Sequence, residues 1–283
     1  MTSILLVQCE DRPGIVAGVS GWIHEHGGNI VDADQHTDPD NRAFFMRLEF
    51  DRTNFRVIGE AFQASLDAMA ARLGITCALH ETTARPRVAV FAGPAPHCLY
   101  DLLLTQRLGD LAGTIALVIS NHEATGVVAR HFDVPFHHIP VTAGAKADAE
   151  ARQRALLKAE GIELVVLARY MQILSEDFAG EWAERAINIH HSFLPAFAGA
   201  RPYHQAKARG VKLIGATAHY VTSDLDEGPI IAQRTARVTH HDSVEDLVRR
   251  GRDLERSVLT RAVRLHLQRR LLVTGNRTIV FGD

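Results

Sequence analysis

The sequence predicts an α/β protein with an N-terminal ferredoxin-like (βαββαβ) domain, residues 1–83, and a C-terminal doubly wound, Rossmann-like domain, residues 84–283. The chain has 283 residues, which is long enough for two domains of ordinary size. The pattern of strands and helices also changes after about residue 83. Beyond the linker-like stretch ETTARPR, buried strands alternate regularly with longer helices.

The first domain follows from its local patterns in order. The β-rich stretch SILLVQC ends at EDRPG, where Pro13 suits a first helical turn. Apolar residues then recur at helical spacing from Ile15 to Ile23, and Gly27 and Gly28 end that helix. IVDADQHT and AFFMRLEF flank the turn-forming DPDN as a hairpin. A second helix and the strand ITCALHE complete the βαββαβ order.

The second domain is predicted from apolar strands separated by helices. VAVFAG, TIALVIS, FHHIP and LVVLARY each precede or follow a helical stretch, which is typical of a mostly parallel sheet. Ligands of such sheets bind at the carboxyl ends of the strands. That rule directs attention to ARYMQILS, to INIHHS and to the loop after IGATAHYV. The first βα turn, FAGPAPHC, matches neither a dinucleotide fingerprint nor a P-loop, so no nucleotide is inferred.

The composition excludes several classes of function. A formal net charge of −2 gives no general attraction to nucleic acid or to an anionic membrane. The longest apolar runs are too short to span a bilayer, and the N-terminus has no basic region or cleavage site of a signal peptide. Cys9, Cys77 and Cys98 are few and widely spaced, which indicates a reduced compartment. We therefore expect a cytoplasmic protein.

The stretch INIHH carries the first candidate catalytic residues. A strand period of two places Asn188 and His190 on one side and His191 on the other. An amide donor and an imidazole aimed at one point suit an oxygen that becomes negative during a reaction. A metal site is not predicted, although His204 or His219 could join these histidines, because no H-E-x-x-H or C-x-x-C spacing supports one.

Asp226 is the third candidate, in the loop TSDLDEGPII after IGATAHYV. Its carboxylate could pair with His190 and accept a proton from an attacking water. Taken alone, Asp226 could be an ordinary turn residue, and Asn188 could be an ordinary capping residue. The combination of the three residues is what indicates chemistry.

The stretch DRPGIVAGVSGWIHEHGGNI resembles the opening of an ACT domain over about the first 80 residues. The resemblance implies a regulatory domain that binds an amino-acid effector, glycine or methionine for instance. It also implies a homodimer or homotetramer. The alternative is a ferredoxin-like domain used only for dimerisation.

The motifs NIHHSFLPAF, RPYHQA and GATAHYVTSDLDEGPIIAQ resemble the catalytic domain shared by glycinamide ribonucleotide formyltransferases and formyltetrahydrofolate deformylases, from about Arg87 onward. The resemblance implies that 10-formyltetrahydrofolate is the substrate and that no cofactor is needed. The family's catalytic residues fall on Asn188, His190 and Asp226. The implied folate-binding residues are Met171, Gln172, Ile173 and Leu174 at one strand end, with Thr222 and Leu225 on the loop that closes the other side. Gln172 departs from the arginine common in relatives, which puts only its side-chain contacts in doubt.

Water and an amine are the two nucleophiles to be distinguished. Pro94 and Pro96 remove backbone donors from the turn where a transferase would hold a phosphate. AGPAPHCLYDLL, His191 and PYHQA instead resemble the deformylases. His97 either caps the following helix or lines an acceptor pocket, and Cys98 is read as a packing residue.

The expected function is hydrolysis of 10-formyltetrahydrofolate to formate and tetrahydrofolate, with a role in one-carbon and purine metabolism. Formyl transfer to an unidentified amine and a non-catalytic amino-acid sensor are the alternatives.

Overall fold

The structure is a computed structural model that describes residues 2–142, 144–195 and 202–282. The end of the motif NIHHSFLPAF and Arg201 of RPYHQA lie outside the described residues. Of the described residues, 2–84, 268–274 and 279–282 form one compact unit, and 85–267 with 275–278 form the other. The chain end therefore belongs to the first unit, whereas the sequence predicted a single boundary near residue 83.

The first unit contains a four-stranded antiparallel sheet in the order β2-β3-β1-β4. Its elements are β1 (Thr2–Glu10), α1 (Ile15–Glu25), β2 (Asn29–Asp38), β3 (Ala43–Asp51), α2 (Gly59–Leu73) and β4 (Thr76–Glu81). The predicted βαββαβ order is confirmed. The helices cover one face of the sheet, where Val19 and Ile23 of α1 pack in one core with Leu5 of β1. A second apolar cluster joins Ile4 to Phe281, which explains why the chain end belongs to this unit.

The second unit contains a seven-stranded sheet in the order β11-β10-β9-β8-β5-β6-β7. Its elements are β5 (Arg87–Ala92), α3 (His97–Arg107), β6 (Thr114–Ser120), α4 (Gly126–His131), β7 (Phe136–His138), α5 (Lys146–Ala159), β8 (Leu164–Ala168), α6 (Glu176–Glu181), β9 (Ala186–His190), α7 (Pro202–Arg209), β10 (Leu213–Tyr220), β11 (Ile230–Arg237) and α8 (Val244–Leu267). The strands β5 to β9 are parallel, while β10 and β11 are antiparallel to their neighbours. The chain ends in the hairpin β12 (Leu271–Thr274) and β13 (Arg277–Val280). The α/β fold class is confirmed.

The antiparallel direction of β10 changes how the loop after it reaches the site. The pairing places Tyr220, the last residue of β10, opposite Ile187 near the start of β9. The carboxyl end of β10 therefore lies at the opposite edge from the carboxyl ends of β8 and β9, so the strand-end rule was the wrong reason for including this loop. Gly228 holds the loop close to the strand, because a Cβ there would lie 1.8 Å from the carbonyl oxygen of Tyr220.

No helix in the three described stretches is long and apolar enough to cross a membrane. Cys9, Cys77 and Cys98 are free thiols. Cys98 is fully buried, and burial raises the pKa of its thiol far above the ordinary value. That environment fits the packing role predicted for it.

Candidate active site

A cavity of about 590 Å³ in the second unit brings together every residue that the sequence predicted for the site. Its wall includes Asn188, His190, Asp226, Met171, Gln172, Ile173, Leu174, Thr222 and Leu225. The cavity has the size and mixed lining typical of small-molecule sites.

His190 is fixed at one ring nitrogen and free at the other. Its Nδ1 lies 3.1 Å from Oδ2 of Asp226, and the side chain is almost fully buried. Its Nε2 is buried and has no hydrogen-bond partner among the described residues. A buried polar atom without a partner is rare in a folded protein and suggests a site that a ligand completes. Nε2 is therefore the atom that can act on a bound substrate.

Asp226 is held in a conformation that few residues other than glycine adopt, with φ +59°. Hydrogen bonds with His190 and His219 outweigh partial burial and lower the pKa of the Asp226 carboxyl far below its usual range. The carboxylate is thus ionised at neutral pH and oriented by two imidazoles. Backbone strain of this kind is commonly found at functional sites.

His219 belongs to the site, although the sequence indicated it only as a possible metal ligand. Its Nδ1 donates to the carbonyl oxygen of Tyr220 at 2.9 Å. Its Nε2 lies 3.3 Å from Nδ2 of Asn188 and 3.6 Å from Oδ1 of Asp226. His219 therefore joins the amide and the carboxylate. The available signal was strand pairing, since β9 and β10 place His219 directly opposite Asn188.

Comparison with known proteins identifies the family. Residues 86–263 match the family model described as formyl transferase, and residues 3–66 match the ACT domain. A formyltetrahydrofolate deformylase of Synechocystis sp. is 50% identical over 282 residues, which covers 100% of this chain and 99% of that protein. The chain belongs to the formyltetrahydrofolate deformylase family.

Solved structures agree with this assignment. The crystal structure of a formyltetrahydrofolate deformylase from Pseudomonas syringae superposes with a TM-score of 0.96 at 44% identity, covering 99% of this chain and 94% of that one. A glycinamide ribonucleotide transformylase from Symbiobacterium toebii superposes with a TM-score of 0.67 at 34% identity, covering 70% of this chain and 95% of that one. The chain thus belongs to a family of hydrolases, and the fold of its second unit resembles that of the formyltransferases.

His191 does not point away from the deformylase cavity, and that prediction was wrong. The strand β9 ends at His190, so the alternation of a strand no longer applies to the next residue. The His191 ring stacks on the His190 ring with centroids 5.0 Å apart and lines the same cavity. Burial, with the charges of Arg169 and His190, lowers the pKa of His191 to about 4. A neutral imidazole therefore lies beside the ring of His190.

The low pKa of His191 predicts a loss of stability in acid. Below pH 6.5 the unfolded chain binds a proton at this residue, whereas the folded chain binds it only near pH 4. The free energy of unfolding should fall by on the order of 1–3 kcal/mol across this window. We expect His191→Gln to remove this part of the dependence of unfolding free energy on pH, as measured by urea titrations at a series of pH values.

Burial also lowers the pKa of His80 to about 4. His80 is present in both the wild-type protein and the variant, so its contribution to the pH dependence is the same in each. The exposed His131→Gln should leave the slope unchanged; a His191→Gln protein with the full wild-type slope would contradict the assignment.

His97 lines the cavity and does not cap its helix. It begins α3, and among the residues that the structure describes no side chain caps that helix. Its Nε2 lies 2.7 Å from Oε2 of Glu255, a carboxylate that is 1% exposed. Of the two alternatives left open by the sequence, the structure supports a position in the wall of the cavity.

The same residues form a group with potential metal ligands. His97, Cys98 and Glu255 bring ligand atoms within 4.8 Å of one another in the described part of the chain. The Nε of Arg169 already lies 3.5 Å from Glu255, so a cation would enter beside a guanidinium. The Cys98 thiol, with its raised pKa, is also a poor source of a thiolate. These donors do not suit a metal, and its absence stays a prediction.

The mouth of the cavity is apolar. Met171, Ile173 and Leu225 are exposed by 64%, 62% and 61%, while Gln172 and Leu174 are partly buried. Large apolar side chains gathered around a cavity commonly mark a ligand-binding surface. Met171 and Ile173 lie on the segment after β8, and Leu225 lies on the segment after β10, as the sequence predicted.

Proposed function

We propose that this enzyme hydrolyses 10-formyltetrahydrofolate to formate and tetrahydrofolate, and so serves one-carbon and purine metabolism. The observation that carries the proposal is the arrangement of Asn188, His190 and Asp226 in one cavity, where the buried Nε2 of His190 has no hydrogen-bond partner in the described part of the chain. Membership of the deformylase family supports it. The test is incubation of the protein with 10-formyltetrahydrofolate alone, followed by measurement of formate and tetrahydrofolate.

The proposed reaction begins with water attacking the formyl carbon. Asp226 accepts the proton of the water as the new C–O bond forms. The formyl oxygen becomes negative, and Nδ2 of Asn188 and the protonated Nε2 of His190 donate hydrogen bonds to it. The C–N10 bond then breaks as N10 gains a proton, from His190 or through a water from Asp226. The products are formate and tetrahydrofolate, and the atoms balance with water as the sole co-substrate.

We assign folate binding to the apolar mouth and the backbone around it. Met171, Ile173 and Leu225 offer apolar surface to a flat pterin ring, and Leu174 and Thr222 line the wall beside them. Main-chain groups of this segment can recognise the polar edge of the pterin, which would make the side chain of Gln172 a minor contributor.

Replacement of Ile173 tests this assignment. An Ile173→Ser variant should raise KM about tenfold, because the exposed side chain offers its apolar surface to the ligand and not to the core. Its free energy of unfolding should stay within about 0.5 kcal/mol of the wild-type value. Val31→Ser, at a residue 55% exposed in the first unit, is the matched control and should change neither quantity. An unchanged KM in Ile173→Ser would remove Ile173 from the folate site.

We further propose that the ACT-like unit binds glycine or methionine and regulates the hydrolase, and that the protein is a homodimer or homotetramer. The match of residues 3–66 to the ACT domain supports the first part. Calorimetry with each amino acid, together with formate release in its presence, tests the effector. No binding and no kinetic response to either would contradict it. Light scattering gives the oligomeric state, and a monomer would contradict that part.

A further inference from the structure

The cavity holds a buried carboxylate that the proposed reaction does not use. Glu255 of α8 is 1% exposed. Its Oε1 accepts a hydrogen bond from the Tyr203 hydroxyl at 2.7 Å, and its Oε2 lies 2.7 Å from Nε2 of His97. Both oxygens are therefore occupied by donors from two separate helices, His97 at the start of α3 and Tyr203 in α7. Arg169, after β8, places its Nε 3.5 Å from Oε2.

Gly251 provides the space for Tyr203. It lies one helical turn before Glu255, and a Cβ at this position would lie 2.0 Å from the Tyr203 hydroxyl oxygen. Only a residue without a side chain lets the phenol lie flat enough on α8 to reach Glu255. Tyr203 is buried in this position. On α8, Gly251 thus leaves space for the Tyr203 ring and Glu255 accepts the hydrogen bond of its hydroxyl.

Glu255 carries its negative charge inside the protein. Burial would raise the pKa of its carboxyl, but the His97 hydrogen bond, the Arg169 charge and the Tyr203 hydrogen bond together lower it. Burial and the same carboxylate raise the pKa of the Tyr203 hydroxyl, which stays a donor. A buried carboxylate satisfied by charge-assisted hydrogen bonds is costly to uncover.

This group lies next to the catalytic residues. The His191 ring stacks on His190 at 5.0 Å and lies 6.5 Å from the Tyr203 ring. His97, His191, Tyr203 and Glu255 all line the cavity that contains Asn188 and Asp226. An acceptor larger than water that approached the formyl carbon from this end would have to displace Tyr203 or His97.

We propose that His97, Tyr203 and Glu255 form a plug, the acceptor plug, which excludes amines from the formyl carbon and leaves water as the nucleophile. This inference rests on the proposed hydrolysis. Without the plug, an amine nitrogen would form the new bond to the formyl carbon, the C–N10 bond would break, and the proton of the amine would pass to N10. The products would then be an N-formyl amine and tetrahydrofolate, with no formate.

The test removes the side chains of the plug by substitution and adds an amine as an alternative nucleophile. The His97→Ala/Tyr203→Ala variant is incubated with 10-formyltetrahydrofolate and glycinamide as the probe amine. Formate and N-formylglycinamide are measured by mass spectrometry. We expect the wild-type protein to release formate only, and the variant to divert on the order of a tenth or more of its turnovers to N-formylglycinamide. The ratio of the two products is the readout, because general damage to the fold would lower both products together.

Two further variants complete the design. Thr260→Val removes a hydrogen bond of 2.6 Å between α8 and Asp101 of α3, outside the plug, and should form formate only. Tyr203→Phe keeps the ring in place and should divert a smaller share of turnovers to N-formylglycinamide than Tyr203→Ala. The single variant Tyr203→Ala is used if the double variant does not fold.

The outcomes separate the two proposals. Formate from the wild-type protein with no N-formylglycinamide from the opened variants would overturn the plug alone. A wild-type protein that releases no formate would overturn the proposed hydrolysis, and the plug with it.

Discussion

Asp226→Asn is expected to lower formate release by about 10²–10⁴-fold. Asparagine has the same shape but no negative charge, so it cannot accept a proton from the attacking water. It also cannot offer a carboxylate oxygen to Nδ1 of His190, which lies 3.1 Å from Oδ2 of Asp226. Folate binding should remain measurable, because the assigned folate contacts lie on other residues. Turnover is measured by formate release, and binding by calorimetry with tetrahydrofolate.

Glu227→Gln is the matched control for this variant. It makes the same change from acid to amide at the adjacent, exposed residue of the same loop. We expect near-normal turnover in Glu227→Gln. Near-normal turnover in Asp226→Asn would remove Asp226 from the reaction, and loss of both turnover and folate binding would indicate a structural role instead.

His190→Asn is expected to have an effect of similar size, on the order of 10²–10⁴-fold in turnover. The variant loses the ring nitrogen that, in the proposed reaction, donates to the developing oxyanion, and with it the hydrogen bond to Asp226. Because we propose that the two residues act as one unit, the double variant with Asp226→Asn should be no slower than the slower single variant. Steady-state formate release of the three proteins measures this.

The neighbouring histidine supplies the comparison. His191→Gln should reduce turnover far less than His190→Asn, since His191 makes no hydrogen bond to Asp226 in the described residues. Multiplicative effects in the double variant would mean that His190 and Asp226 act independently, contrary to the proposed pair. Equal losses in His190→Asn and His191→Gln would contradict the choice of His190.

The fold was largely predictable because its signals are local. Helical spacing from Ile15 to Ile23 and the runs of apolar strands predicted both units. The direction of β10 was not predictable, since a buried antiparallel strand has the same apolar pattern as a parallel one. The return of the chain end to the first unit rests on Phe281 meeting Ile4, a contact between residues far apart in sequence.

Site residues were predictable where their types and spacing in the sequence indicate a chemical role. They were not predictable where the role depends on a contact between residues far apart in the sequence. Asn188, His190 and Asp226 come together in one cavity. His191 was misplaced because the alternation was extended one residue past the end of β9. Glu255 was missed because a single acid on a charged helix gives no local signal, and its partner His97 lies 158 residues away.

In the proposed reaction water is the nucleophile and Asp226 activates it. The most direct test is turnover of 10-formyltetrahydrofolate by the protein in water enriched in oxygen-18, with no amine present and with Asp226→Asn as the control for spontaneous loss. We expect formate carrying one heavy oxygen, equimolar with tetrahydrofolate, at a rate far above that of Asp226→Asn. Formate without the label, or tetrahydrofolate formed only when an amine is added, would contradict it.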